Sequence, residues 1–185
     1  MMDTLTAIHT RVTAAKLGEP APSAEHLEQL LAAAARAPDH GRIAPWQFIV
    51  IEGAARERFG GLLADAKRRQ SADATETMLN AERSKALRAP MIIVAATRIV
   101  PEHKKVPEIE QILAAGSAVQ NLLLAARALG YGSMWKTGAP AYDPEVKRAL
   151  GIDPRDHIIG FIYLGTSLAE VAIRSPELNG RVSRW

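Results

Sequence analysis

The sequence predicts a single layered domain of mixed α and β structure spanning residues 1–185. Two patterns carry that prediction. Stretches with apolar residues three and four positions apart alternate with short runs rich in β-branched and aromatic residues, bounded by glycine or proline. The size agrees: 185 residues, 48% apolar and 23% charged, suit one core and leave no material for a second. A domain of that length buries about 70% of the surface its unfolded chain exposes, so it needs no disulfide or metal staple.

Taken in order, residues 2–14 place Leu5, Ala7, Ile8 and Val12 at near-helical spacing. A second helix starts after Pro22, where Ser23 can cap it. Leu27, Leu30, Leu31 and Ala34 form its stripe until Pro38 and Asp39 stop it. Trp46 to Glu52, closed by Gly53, is a buried strand. Residues 54–69 return to a helical period with Phe59, Leu62, Leu63 and Ala66 on one face. The charged, alanine-rich residues 71–89 read as helix or mobile connection. Pro90 then opens a second buried strand over residues 91–96, followed by a polar loop at 101–105.

Pro107 suits the first position of a long helix over residues 107–129, because it lacks an N–H that would be orphaned there. Glu108 and Glu110 complement the positive end of its dipole. Ile109, Ile112, Leu113, Val119, Leu122, Leu123 and Leu124 do not fit one stripe, so this helix is expected to be buried on most sides. A second subunit is the expected cover; the core of a monomer is the alternative. Gly130 ends the helix, residues 131–137 form a strand, and Asp143-Pro144-Glu145 caps a short helix reaching Leu150. The last strand covers residues 158–165, and residues 166–185 show no period.

Composition excludes several kinds of chemistry. There is no cysteine, hence no disulfide, thiolate metal site or cysteine nucleophile. The five histidines (His9, His26, His40, His103, His157) lack zinc-type spacing, so no metal is expected. Neither a G-x-S-x-G elbow nor a P-loop occurs, and no G-x-G-x-x-G follows a strand. The net charge of +3 comes without a basic stripe interleaved with aromatics, so no nucleic-acid partner is expected. Residues 1–15 lack the continuous apolar core of a signal peptide. The longest apolar region, residues 112–129, is interrupted by Gly116, Ser117, Gln120, Asn121 and Arg127, so we expect a cytoplasmic protein without a membrane span. By elimination, a bound cofactor would carry the hard chemistry.

Three boxes sharpen that expectation: Arg11-Val12-Thr13, then Ala37-Pro38-Asp39-His40 followed by Pro45-Trp46-Gln47-Phe48, then Gly132-Ser133-Met134-Trp135-Lys136-Thr137-Gly138. In order and spacing they resemble the FMN-dependent nitroreductase family, and look most like its small YdjA-type branch. The family carries R-x-[ST] in its first helix, an A-P-S/D segment ahead of Q-P-W-x-F, and a Gly-rich strand segment before its last helix. The resemblance runs from residue 2 to about residue 166. It implies an α+β, three-layer α/β/α sandwich with a mixed, mostly antiparallel sheet, assembled as a homodimer with FMN sites at the subunit interface.

The same resemblance implies roles for particular residues. Arg11, Val12 and Thr13 would take the phosphate end of FMN, Arg11 and Thr13 supplying donors from one helix end. Arg36 and His40 would reach the flavin held mainly by the other subunit. Trp135, Lys136, Thr137 and Gly138 would lie along the flavin ring, with a backbone N–H toward N5 and the Lys136 charge opposing that of the reduced ring. Residues 125–130 would border the nicotinamide, and Trp46 is assigned to packing. Departures from the family pattern are Val12, Ala15 (with Lys16 beside it), Arg42 and Ala44; Arg181 and Arg184 in the tail are further phosphate candidates.

The function so implied is NADPH- or NADH-dependent reduction of nitroaromatics, quinones or similar small electrophiles by ping-pong hydride transfer. The flavin carries the hydride, so no side chain need be catalytic. Two other readings stay open: a flavin-dependent dehydrogenase for one dedicated metabolite, and a non-catalytic FMN-binding or redox-sensing protein.

Overall fold

The computed structural model describes residues 2–185. Its elements run α1 (Thr4–Thr10), β1 (Leu17–Gly18), α2 (Ala24–Ala34), β2 (Trp46–Glu52), α3 (Ala55–Gln70), α4 (Glu76–Lys85), β3 (Met91–Thr97), α5 (Glu108–Ala128), β4 (Gly132–Lys136), α6 (Pro144–Ala149) and β5 (Ile158–Ser167). Side-chain caps fix where four of the helices start. Asp3, Ser23, Thr75 and Asp143 each accept a hydrogen bond from an N–H in the first turn of α1, α2, α4 and α6. Pro107 is the N-cap of α5, one position before its expected place, with its own ψ of 152° outside the helix.

The sheet is built around β3, whose seven residues are all buried. β2 and β5 flank it, both antiparallel, in registers running from Trp46↔Thr97 to Glu52↔Met91 and from Met91↔Leu164 onward. β4 lies antiparallel on β5 from Gly132↔Gly165 to Lys136↔Phe161, and β1 pairs with the end of β5. A parallel bridge, Thr13↔Ser133, makes the sheet mixed. Alternation along β3 sends Ile92, Val94 and Ala96 to one face and Met91, Ile93 and Ala95 to the other. The first face packs Phe59, Leu63 and Ala66 of α3 and Val146 of α6; the second packs Leu30 and Ala34 of α2 and Val119 and Leu122 of α5. The result is a three-layer α/β/α sandwich. A register shift opposite Ala95 and Ala96 puts Ile158 and Phe161, three apart, on one face.

α5 is long and apolar enough to cross a membrane by length and composition. Here it packs on the sheet and α2 through residues from Ala114 to Ala126, while Ile109 and Leu113 stay exposed. Gln111, fully buried in its first turn, accepts from Val100 N and donates to Val100 O and Val106 O, so it pins the connecting loop to the helix. The segment expected as helix or mobile connection contains α4, packed on α3.

The α3–α4 contact gives a prediction of opposite signs at adjacent positions. A Cβ at Gly60 would stand 2.7 Å from the Arg83 carbonyl oxygen, whereas one at Gly61 meets nothing within 4 Å. Gly60→Ala must push the backbone of α4 away and is expected to cost about 1–2 kcal/mol after its helix-propensity gain. Gly61→Ala keeps only that gain and is expected to stabilise by about 0.5–1 kcal/mol. Urea unfolding of the two variants checks both signs.

Candidate functional site

The first box does not continue α1. Arg11 caps the helix in an extended conformation (φ −64°, ψ 126°), its N–H bonded to Ala7 O. The chain then runs straight to β4: Thr13 bridges Ser133, and Ala14 N donates to Ser133 O at 2.9 Å. The helix expected over residues 2–14 therefore ends at Thr10, because the next residues gain a long-range pairing that no local periodicity reveals. Arg11 consequently stands at the C-terminal end of α1, and Thr13 lies beyond it, paired with the edge of β4 that β5 does not take.

Two clefts open beside that edge. One, about 670 Å³, is lined by Thr10, Arg11, Val12, Ala14, Arg127, residues 130–133 and the tail from Ser167 to Val171 with Ile173. The other, about 350 Å³, lies at the far end of β4 and is lined by Lys136, Thr137, Gly138, Phe161 and Tyr163, with Leu63, Lys67, Gln70, Glu82, Lys85 and Arg88 from α3, α4 and the turn after α4. Four cations surround this second cleft against one carboxylate, Glu82, which is bonded to Lys85 at 2.5 Å. Burial pushes the Tyr163 phenol above its ordinary pKa, so it stays neutral near pH 7. The sequence carried no signal for the α3 and α4 cations, since only the packing of two helices brings them to the end of β4.

The first box thus stands near the start of β4, and the last runs along β4 and past its end. Trp135 is held there by a bond from its indole N–H to Ile159 O (3.0 Å), with the ring laid over Gly160, where a Cβ would come within 2.1 Å of Nε1. Thr137 lies outside the strand, and Gly138 takes a φ of 111°, a conformation that favours glycine.

The second box lies elsewhere. His40 Nδ1 is 2.5 Å from Glu110 Oε2, in the first turn of α5. Arg127, in the last turn of α5, donates through Nε to Thr10 Oγ1 at 3.0 Å, next to Arg11. Glu110 and Arg127 are separated by roughly 25 Å of helix at 1.5 Å per residue. Within one chain, His40 and its neighbour Arg36 therefore do not share a small cleft with Arg11. The loop after His40 is tight: Gly41, Arg42 and Ala44 all have positive φ (78°, 57° and 47°), and Ala44 N donates to Asp39 Oδ2 at 2.6 Å. Asp39 Oδ1 is buried without a hydrogen-bond partner. Trp46 packs against the α2–α5 core, in keeping with its expected role. Arg181 and Arg184 lie in the exposed tail and line neither cleft. Among the described residues no group of His, Asp or Glu has the arrangement of a metal site.

A model of the Nitroreductase family matches residues 10–166 of this chain. The provisionally named NAD(P)H nitroreductase YdjA of Escherichia coli K12 is 41% identical over 178 residues, covering 95% of this chain and 96% of that protein. A provisionally named NAD(P)H nitroreductase of Haemophilus influenzae is 39% identical over 167 residues, covering 90% of each. Among solved structures, a nitroreductase-like family protein from Bacillus cereus superposes with a TM-score of 0.81 at 21% identity, covering 100% of this chain and 97% of that one. A nitroreductase from Desulfovibrio desulfuricans, solved in complex with FMN, superposes with a TM-score of 0.76 at 24% identity, covering 100% and 98%.

Proposed function

The chain belongs to the nitroreductase family, and on that premise we propose that it is an FMN-dependent oxidoreductase. It takes hydride from NADPH or NADH and passes it to a nitroaromatic, a quinone or another small electrophile. The observation that carries this reading is the bridge Thr13↔Ser133, which joins two sequence-distant boxes along one edge of β4. The cofactor assignment is supported by fold neighbours solved with FMN bound, and by the names of curated relatives, which specify NAD(P)H.

The residues present fit such a nucleotide. Arg11 borders the larger cleft and has no carboxylate partner within ion-pair distance among the described residues, as a phosphate ligand requires. Val12 and Thr13 carry the chain from that cleft to β4. At the other end, Trp135, Lys136, Thr137 and Gly138 form a firm ledge with a positive charge beside it. Bound there, FMN would supply the hydride-carrying chemistry. The protein's task is then to hold phosphate and ring apart at fixed distance, to exclude water, and to keep positive charge near the ring.

His40, at the opposite end of α5, and Arg36, four residues before it, serve this site in our reading as residues of a second copy of the chain. Their separation from Arg11 therefore supports a homodimer, as does the exposed apolar pair Ile109 and Leu113 on α5. In this reading residues 1–185 act as one domain, in the cytoplasm, where NADPH and NADH are supplied.

The test is the visible spectrum of purified protein, repeated anaerobically after adding NADH and then NADPH. A flavin spectrum that bleaches, with turnover of a quinone or nitro compound, is the expected result. Bleaching without turnover of generic acceptors would move the assignment to an enzyme for one dedicated metabolite. Bound FMN that neither nicotinamide reduces would make the protein a flavin carrier or redox sensor. Protein that cannot be reconstituted with FMN would end the assignment.

A further inference from the structure

We propose that Arg127 adds a second phosphate-monoester ligand, beside the Arg11 already assigned to a phosphate, in the 670 Å³ cleft between the end of α1, the last turn of α5 and the start of β4. Both side chains line that cleft. Arg127 is seated by a specific chain of bonds: Thr10 Oγ1 donates to Thr6 O at 2.6 Å, so its oxygen is free to accept from Arg127 Nε at 3.0 Å. That arrangement uses only Nε and leaves both terminal nitrogens of the guanidinium for a ligand. Such a pair of N–H donors matches two oxygens of one phosphate.

The charge pattern points the same way. Among the described residues Arg68, Arg69, Arg83, Arg148 and Arg155 have a carboxylate within 3.0 Å and the other arginines do not, so what marks this cleft is that Arg11 and Arg127 border it together. Two unpaired guanidinium groups bordering one cleft repel each other, and a dianion between them reverses the sign of that interaction. Glu170, the acidic residue of the same cleft, sits on the exposed tail and pairs with neither arginine. The negative end of the α5 dipole favours a cation at Arg127 but does not explain why a second cation faces the same cleft.

A phosphate monoester can come from two sources, the 5′-phosphate of FMN or the 2′-phosphate of NADPH. The flavin arm of the test rests on the flavoenzyme reading above; the chemistry of the site does not. The experiment titrates FMN and riboflavin, by quenching of flavin fluorescence, into apoprotein of wild type, Arg127→Met and Arg127→Lys. Far-UV circular dichroism and the ligand-free Tm confirm that the variants fold. If the site holds the FMN phosphate, Arg127→Met weakens FMN by about 10- to 100-fold, leaves riboflavin unchanged, and Arg127→Lys recovers part of the loss. If it holds the 2′-phosphate, both flavins bind as in wild type, and only the KM for NADPH rises, with that for NADH unchanged. Equal weakening of FMN and riboflavin, or no change in either flavin or in the NADPH to NADH ratio, overturns the proposal. Should wild type bind no flavin, the flavoenzyme reading fails. The site is then decided by inorganic phosphate, which must raise the Tm of wild type and not that of Arg127→Met; without that difference the proposal falls.

Discussion

Asp143→Ala is expected to lower the unfolding free energy by about 2–4 kcal/mol, a large share of the total for a domain of this size. The carboxylate is buried and fully used. Oδ1 accepts from Glu145 N (2.8 Å) and Val146 N (3.1 Å), capping α6, and both oxygens accept from the Arg69 guanidinium at 3.0–3.1 Å. Losing the cap costs about 1 kcal/mol. Losing the ion pair costs more, but Arg69 is 39% exposed and can rehydrate, so its stranded charge stays below the full penalty of a buried one. Asp143→Asn keeps an oxygen for the cap and gives up the charge, so about half the loss should remain. Urea unfolding with an unchanged m-value would confirm that the native state lost these bonds. A value for Asp143→Ala within 0.5 kcal/mol of wild type would mean that the α3–α6 link is incidental. The consequence reaches the site, because Asp143 closes the 3-10 turn Ala139–Tyr142 that follows Thr137 and Gly138.

How much of this was legible in the sequence depended on whether the signal was local. Ser23 and Asp143 announce α2 and α6 because capping is decided within three residues, and both helices start where those residues stand. The strands β3 and β5 were legible because a buried strand in a layered fold must be apolar on both faces. β2 was legible by its aromatic and β-branched run, but the expectation that it is buried fails, because it is the edge strand next to β3 and only its Ile51 is buried. β1 was not legible, since two residues carry no period and Leu17–Gly18 exist as a strand only by pairing with the end of β5. The same limit set the error at α1: Val12 fits a helical stripe, yet the chain leaves the helix at Arg11 to reach Ser133.

The candidate site divides along the same line. Its boxes stood out as residue types in order, but their joining along β4, the seating of Arg127 on Thr10 and the bond between His40 and Glu110 span 70 to 120 positions of sequence. Only the sandwich brings such residues together. The α5 helix is the yardstick of that geometry, with one box at each end. In the homodimer proposed above, that length is what would put His40 and Arg11 of one site on different copies of the chain.

The strongest effect on the proposed chemistry is expected from Gly160→Ala, although Gly160 belongs to none of the three boxes. A methyl at that position would overlap the Trp135 indole, at 2.1 Å from Nε1 and 2.5 Å from Cδ1, and would crowd the Lys136 carbonyl oxygen at 3.0 Å. Because the indole is partly exposed it can swing out, but it then loses its bond to Ile159 O and its packing on β5. About 1–2 kcal/mol of stability should go with them. The larger loss is positional: Lys136 and Thr137 shift with the strand edge. A displacement near 1 Å is enough to slow flavin reduction by NADPH or NADH about 100-fold. The double variant Trp135→Ala, Gly160→Ala separates the two effects. Removing the indole relieves the clash, so its stability should exceed the sum of the single changes by about 1 kcal/mol, while flavin reduction stays slow because the ledge is no longer held. If Gly160→Ala alone matches wild type in both unfolding and flavin reduction, the contact between Gly160 and Trp135 does not set the geometry of this edge, and the positioning role assigned to Trp135 must be given up.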